Sequence, residues 1–429
     1  MSRPKVTFKT IGCRANQADT AMLRRSVFEA GAEILTGLEQ ADFVVINTCC
    51  VTAEAQRDCR KLARRALRES PLAKVIFTGC AVSAIANFGK DIDDRVILLG
   101  GGDLDLSEMS AHLNNIIGSS FDNNDNSEPK NNRSYQQFAG RTRALLKIQN
   151  GCEHYCSYCI VPFARGPEKS MPISEVFDNV SWLKNEGYLE LVLSGVQIGA
   201  WGKDLPGTPH LSKLIADVAD RFAPGRVRLS SIEPWSVNDA LIEVVAGHTH
   251  VCPHLHVPLQ SGDDNVLKAM GRGYSADDFT AIAHKIVKYE PNLAFGTDII
   301  CGFPGEDELA FQNTLALLRD IPLAYLHAFP YSERAGTRAV SIRPRSDRAT
   351  AKKRVRIARE LGNGAATKFE TSQLGKIREL LIETTNGENA RGITDNYLHV
   401  TTAKVNKHLL NVRLELDDDK KLIGVGVLL

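Results

Sequence analysis

Short apolar runs alternate with helical patterns along most of this chain, and that alternation admits little besides parallel sheets covered by helices. In residues 1–117 the strand signals are Val6–Gly12, Phe43–Thr48, Val75–Gly79 and Val96–Gly100. A helical pattern follows the first of them, with Leu23, Val27 and Ala30 on one face, Asp19 or Thr20 near its cap and Gly31 as its stop. Another helical stretch runs from about Ala53 to Arg68. This segment predicts an open parallel α/β sheet with helices on both faces. From Ala144 the alternation resumes, with strand signals at Ala144–Gln149, Leu189–Gly195, Arg226–Ile232, His254–Gln260, Ala294–Gly302 and Ala324–Phe329. A closed eightfold barrel takes ~250 residues. Six strands in a shorter span predict a partial, open (β/α)6 barrel.

Composition shifts mark the boundaries. Residues 118–137 are rich in Asn, Ser and Asp with almost nothing apolar, and read as a flexible linker. The partial barrel is expected over residues 138–372. Residues 373–429 change to short strand-like runs with turn residues between them, which predicts a small antiparallel β-barrel. With 43% hydrophobic and 24% charged residues, the chain excludes wholesale disorder, collagen and coiled coil. No apolar run reaches the ~18 residues of a membrane span, and the start MSRPKVTFKT has no apolar signal region, so a cytoplasmic protein is expected.

Ten cysteines in such a chain point to metal or redox ligation rather than a disulfide framework. Cys152, Cys156 and Cys159 form a C-x3-C-x2-C run directly after the first barrel strand. Three thiolates on one loop suit an iron–sulfur cluster with one iron left open, since such clusters normally take four cysteines. A zinc site recruiting His154, or three idle cysteines, remain open on spacing alone. Cys13, Cys49 and Cys80 are distant in sequence, yet each immediately follows a predicted strand. In an open parallel sheet the carboxyl ends of the strands line one edge, where ligands bind. The three could therefore converge on a second centre, or be buried as small hydrophobes.

The cysteine run after a first barrel strand resembles the radical S-adenosylmethionine (SAM) superfamily. In that superfamily the open iron binds SAM, and the reduced cluster cleaves it to a 5′-deoxyadenosyl radical. Together with GCRANQADT (Gly12–Thr20), INTCCVT (Ile46–Thr52), TGC (Thr78–Cys80), KIQNGCEHYCSYCIVPFARG (Lys147–Gly166), HLHVPLQSG (His254–Gly262) and TDIICGFPGE (Thr297–Glu306), the chain resembles the radical SAM methylthiotransferases over nearly its whole length. The resemblance implies two [4Fe–4S] clusters: a SAM cluster on Cys152, Cys156 and Cys159, and an auxiliary, sulfur-carrying cluster on Cys13, Cys49 and Cys80. It makes Cys50 a bystander beside Cys49, and Cys59, Cys252 and Cys301 match no ligand position. SAM serves as methyl donor and as radical source, and an electron donor such as flavodoxin or ferredoxin is implied, with the sulfur donor unknown. The C-terminal module is similar to TRAM RNA-binding domains. Ser194, Gln197, Gln260 and Gly302 are candidate SAM contacts. Arg165, after the cluster loop, could pair with a carboxylate or phosphate, or face solvent.

A net charge of +1 hides two basic stretches. Arg57, Lys61, Arg64 and Arg68, with Arg65 beside them, make a stripe along one helix, and Arg343 to Arg359, including Lys352, Lys353, Arg354 and Arg356, form the second. Either could track an RNA backbone, or be a solvated face. Within the resemblance, the first motif and KIQNGC look most like the branch that methylthiolates N6-threonylcarbamoyladenosine (t6A) at position 37 of tRNA. Branches acting on N6-isopentenyladenosine 37 or on a ribosomal-protein aspartate are the alternatives, and a redox-sensing iron–sulfur RNA-binding protein is the non-enzymatic one.

Overall fold

The computed structural model describes residues 3–100, 106–118 and 142–426; the expected linker, Gly118 apart, lies outside the described residues. Strands β1 (Lys5–Thr10), β2 (Glu33–Leu35), β3 (Phe43–Thr48), β4 (Lys74–Gly79) and β5 (Val96–Leu98) form one parallel sheet in the order β2-β1-β3-β4-β5. Every residue of β3 is buried, as a central strand covered on both faces requires. One face packs Val44, Ile46, Val75 and Phe77 against Cys59 and Ala63 of α2 (Ala53–Glu69). The other packs Val6, Phe43 and Val45 against Leu23 and Val27 of α1 (Arg14–Glu29) and Leu113 of α4 (Leu106–Gly118). The short helix Cys80–Ala84, α3, leaves β4 directly. Edge strand β2 goes beyond the sequence expectation, because three residues are too few to show a strand pattern.

The first helix corrects the expected cap. It begins at Arg14 with Cys13 as the N-cap, so Asp19 and Thr20 sit inside it. Thr20 Oγ1 donates to the Asn16 carbonyl one turn back, and Asp19 is buried against cations of the next domain rather than against its own helix end.

The second domain is the expected partial barrel. Strands β6 (Arg143–Asn150), β8 (Glu190–Gly195) and β9 (Arg226–Leu229) pair in parallel, as do β10 (His254–His256), β11 (Ala294–Cys301) and β12 (Tyr325–Pro330). A parallel bridge between Val227 and Val251 joins the two groups. The two-residue β7 (Lys169–Ser170) adds an antiparallel edge to β6. Expected to reach Gln260, β10 stops at His256; Gln260 itself has φ +69° and keeps only a lone bridge to Ile299. The outer faces of the strands bury Leu146, Leu191, Val227, Leu255 and Phe295 against Val180, Val218, Phe279 and Phe311 of the surrounding helices.

The basic stretch becomes the first turns of a 26-residue helix, Arg348–Gln373, laid against β12. Arg354 departs from the expected solvent-facing run: it is buried, its Nη1 2.8 Å from Glu306. Strands β13 (Ile377–Asn386), β14 (Asn389–Thr394), β15 (His399–Ala403), β16 (Leu409–Leu416) and β17 (Leu422–Gly426) close into a small barrel. It docks through two arginines at the start of β9. Arg226 donates to the Glu379 and Ile393 carbonyls, and Arg228 to those of Thr394 and Asp395. Fully buried Glu190 of β8 accepts from both guanidinium groups, so no charge is left unpaired.

Two cysteine sites at one domain junction

The strand order 2-1-3-4-5 reverses direction between β1 and β3, the crevice where parallel sheets place their ligands. Cys13 follows β1 there, Cys49 follows β3 and Cys80 follows β4. A reciprocal amide pair beneath them holds the three strand ends in register. Asn16 donates to Asn47 Oδ1 at 2.8 Å, and Asn47 donates to the Asn16 carbonyl at 2.9 Å. The Cys13 thiol lies 3.2 Å from Asn16 Oδ1, and the Asn16 amide faces Cys80 Sγ at 3.9 Å. Gly12 is required by the same approach: its φ is +147°, and a Cβ would stand 2.7 Å from Asn16 Oδ1 and 3.2 Å from Cys49 Cβ.

Cys13 is exposed, whereas Cys49 and Cys80 are buried. Burial pushes the Cys49 thiol up to about 11. The Cys50 thiol and the Arg165 guanidinium hold Cys80 well below the ordinary thiol range, against the effect of burial. Cys50, buried in the core, thus serves Cys80 as a hydrogen-bonding neighbour.

Cys152, Cys156 and Cys159 occupy the loop after β6, all partly accessible. Burial raises Cys152 to about 11 and Cys159 to about 12. Arg272 Nη1 stands 3.5 Å from Cys156 Sγ and is ion-paired with Glu233. Cations beside the sulfurs favour a cluster whose thiolate ligands carry negative charge. His154, the possible zinc ligand, packs tilted against Trp235 with ring centroids 4.2 Å apart and turns Nε2 toward Gln197 at 3.3 Å. Among the described residues, the set of three metal-type donors that closes to within 4.8 Å is His256, Asp298 and His327, with neither cysteine triad among them. The wider thiol sets suit a multi-iron cluster better than a single zinc ion.

Arg165 links the two sites. The helix Val161–Arg165 follows the Cys159 loop, and its last residue crosses to the first domain. Nε reaches Cys80 Sγ at 3.1 Å, Nη1 the Asn150 side chain at 2.9 Å and Nη2 Asp19 at 2.9 Å. Lys147 on β6 also pairs with Asp19. Burial works to raise the Asp19 carboxyl, but these two cations hold it below the usual carboxylate range. The expected choice for Arg165, carboxylate or solvent, resolves to a buried carboxylate.

Three of the four candidate SAM contacts have local duties. Ser194 Oγ lies 3.4 Å from the Leu146 carbonyl in the strand ladder. Gln197 Oε1 caps the turn at Ala200, and its backbone N–H donates to Gln149 Oε1. Gly302 has φ +78°, and a Cβ there would meet Ala351 of the long helix. Gln260, half-buried at the end of its bridge, is the fourth. The exposed stripe of Arg57, Lys61, Arg64 and Arg68 lies on α2, and Lys352, Lys353 and Arg356 are exposed on the long helix.

A partial barrel with a three-cysteine loop after its first strand defines a radical SAM protein, and residues 146–318 match the radical SAM superfamily profile. Residues 5–98 match the uncharacterized protein family UPF0004. The chain is 34% identical over 404 residues to the threonylcarbamoyladenosine tRNA methylthiotransferase MtaB of Rickettsia prowazekii, covering 93% of this chain and 91% of that one. It is 32% identical to the protein of that name from Chlamydia pneumoniae, covering 98% of each. The tRNA-2-methylthio-N(6)-dimethylallyladenosine synthase of Methylacidiphilum infernorum is 31% identical, covering 90% of this chain and 86% of that one. The radical SAM methyltransferase TsrM of Kitasatospora setae shares the fold, with TM-score 0.53 and 13% identity over 77% of this chain and 75% of that one. The chain belongs to the radical SAM methylthiotransferase family.

Proposed function

We propose that this protein replaces the C2 hydrogen of t6A at position 37 of tRNA with a methylthio group, using SAM both as methyl donor and as radical source. The observation that carries the reading is the meeting of two cysteine triads at one domain junction, tied by Arg165. Cys152, Cys156 and Cys159 hold the SAM-binding [4Fe–4S] cluster, and Cys13, Cys49 and Cys80 the auxiliary one. When bound, these groups supply a hydrogen-abstracting radical and a sulfur atom; the protein supplies orientation and shelter from water. Asp19, Lys147 and Arg165 form a buried ionic seam that fixes the two sites relative to each other. Arg272 neutralises charge at the SAM cluster. Ser194, Gln197, Gln260 and Gly302 are the proposed SAM contacts.

Relatives of the MtaB name at 31–34% identity support t6A as the substrate. A tRNA substrate places the reaction in the cytoplasm, and a small electron donor of the flavodoxin or ferredoxin kind delivers the electron. Among the described residues, no helix is long and apolar enough to cross a membrane. The test is nucleoside mass spectrometry of tRNA from a deletion strain: 2-methylthio-t6A disappears and t6A accumulates. Unchanged 2-methylthio-t6A would sink the reading, and loss of the methylthio group from isopentenyladenosine instead would move the protein to the other tRNA branch.

A further inference from the structure

Across the partial barrel, β10, β11 and β12 present one hydrogen-bonded row that neither cysteine site uses. Leu326 and Ala328 of β12 pack outward, with Gly362 of the long helix against Leu326 and Arg359 donating to the Ala328 carbonyl. Strand alternation therefore turns Tyr325, His327 and Phe329 to the inner face. In the parallel register Asp298 stands beside His327, and Gly296 stands between His256 and Tyr325. A Cβ at Gly296 would run into the Tyr325 ring, so this glycine lets the neighbouring strands' rings meet across β11.

The row has a direction. Asp298, held well below the usual carboxylate range by its two histidines against the effect of burial, can only accept. His256 Nε2 donates to it at 3.0 Å, and His327 Nδ1 donates to its other oxygen at 3.0 Å. His256 Nδ1 then accepts from the Tyr325 hydroxyl at 3.0 Å, which in turn accepts from His254 Nε2 at 2.8 Å. His254 Nδ1, buried, is left without a partner among the described residues. Both Asp298 oxygens are taken, so the free end of the row is His327, whose side chain is half-exposed. At the other end Tyr397 of the small barrel stacks on His254 at 4.3 Å and accepts from Arg14 at 2.8 Å. Arg14 is the residue after Cys13.

Adenine chemistry relates this wall to the auxiliary site. C2 and the N6 substituent flank N1 on the same edge of the base, so a C2 brought to sulfur near Cys13 carries its N6 substituent to an adjacent wall. We infer that this wall is the pocket for the polar, anionic N6 substituent of the adenosine, with the threonyl carboxylate received by His327 Nε2 at the free end of the row. Asp298 takes His327 Nδ1 and so fixes the ring's orientation, leaving Nε2 for the carboxylate. An isopentenyl group in the same place would leave His327 Nε2 without a polar partner, the situation in which a hydrogen-bonding site discriminates most strongly. The inference rests on the proposed activity toward t6A.

The test uses the full, cluster-loaded enzyme and synthetic anticodon stem–loops carrying either t6A37 or its carboxyl methyl ester, with methylthiolation followed by mass spectrometry. The wild-type protein prefers the free acid by ~10- to 100-fold in kcat/KM, the scale of one charged hydrogen bond, mostly through KM. His327→Ala loses the preference, Asp298→Asn weakens it, and His327→Lys, which puts a cation at that position, recovers part of it. Iron content and cluster absorbance confirm that each variant is loaded. A preference retained in His327→Ala, or absent from the wild type, overturns the inference alone. About one equivalent of zinc or manganese bound beyond the cluster iron and lost in His327→Ala would also overturn it, since the row would then be a metal site. A wild-type protein that modifies neither stem–loop overturns the functional reading first.

Discussion

The guanidinium of Arg165 lies 3.1 Å from the sulfur of Cys80, although the two stand 85 positions apart in the chain and on opposite sides of a domain boundary. The same side chain closes on Asp19 and Asn150, so its three nitrogens serve three partners. A lysine presents one compact charge and cannot reproduce that fork. Arg165→Lys should weaken the docking of the first domain, and Arg165→Gln, which leaves the buried Asp19 to Lys147 alone, should destabilise it by ~1–3 kcal/mol. Urea unfolding followed by tryptophan fluorescence reads the loss. An unchanged midpoint in Arg165→Gln would show that Lys147 alone holds the seam.

Separate cluster sites predict separable iron. The intact, reconstituted protein should carry about eight irons per chain, four for each [4Fe–4S] cluster. The triple variant Cys13→Ala, Cys49→Ala, Cys80→Ala should keep about half, continue to cleave SAM to 5′-deoxyadenosine, and form no methylthiolated nucleoside. Cys50→Ala should keep its full iron, because Cys50 touches Cys80 as a neighbour in the core. Iron analysis beside product analysis checks both. Loss of all SAM cleavage in the triple variant, with the first cluster loaded, would deny the two sites their separate roles.

Docking of the C-terminal barrel should depend on acid. Burial works to raise the Glu190 carboxyl, but Arg228 and Arg226 hold it at about 2, below the ordinary value of 4.5. A carboxylate whose folded pKa is depressed contributes stability above its unfolded pKa and loses it as pH falls through the folded one. The contribution is therefore full above about pH 5 and fades between 4.5 and 2. Limited proteolysis across that window should release the barrel as pH falls. Glu190→Gln should release it already at neutral pH, at a loss of ~3–5 kcal/mol, because buried Arg228 loses its counter-charge and Arg226 keeps only the more distant Glu379. Equal protease resistance of the variant and the wild type at pH 7 would contradict this account.

Local patterns explain what is legible in the sequence. The cysteine run is contiguous, and Cys13, Cys49 and Cys80 each follow an apolar strand, so both triads are visible from spacing and strand ends. Asp19 reads as a cap because an acidic residue early in a helix usually serves its own N-terminus. Its partners Lys147 and Arg165 come from another domain, and nothing local announces them. The His254–His327 row escapes sequence reasoning for a related reason. Its histidines alternate on β10, and His327 shares the inner face of β12 with Tyr325, a period-2 signal that HLH and YLH do carry. Gly296, which lets the rings meet, looks in sequence like any strand glycine. Arg354 falls in a basic run whose other members face solvent, since periodicity alone does not reveal that Glu306 waits on the loop after β11.

The basic face of α2 yields the last prediction. Arg57, Arg64 and Arg68 stand at intervals of seven and four, two turns and one turn of helix, and all are exposed. Lys61 between them reaches Asp58 only at 3.6 Å, and Arg65 is turned aside to Glu69. A stripe that follows tRNA phosphates releases counterions on binding, so log Kd varies linearly with log salt. Replacing Arg57, Arg64 and Arg68 together by Gln should weaken tRNA binding at every sequence alike and flatten that slope by about 1 for each phosphate no longer engaged. The parallel triple Lys352→Gln, Lys353→Gln, Arg356→Gln asks the same of the long helix. Fluorescence anisotropy with labelled tRNA over a salt series gives both affinity and slope. Exposed positions on helix surfaces leave the fold intact, so an unchanged slope would assign the stripe to solvent and leave the RNA to the other helix and the small barrel.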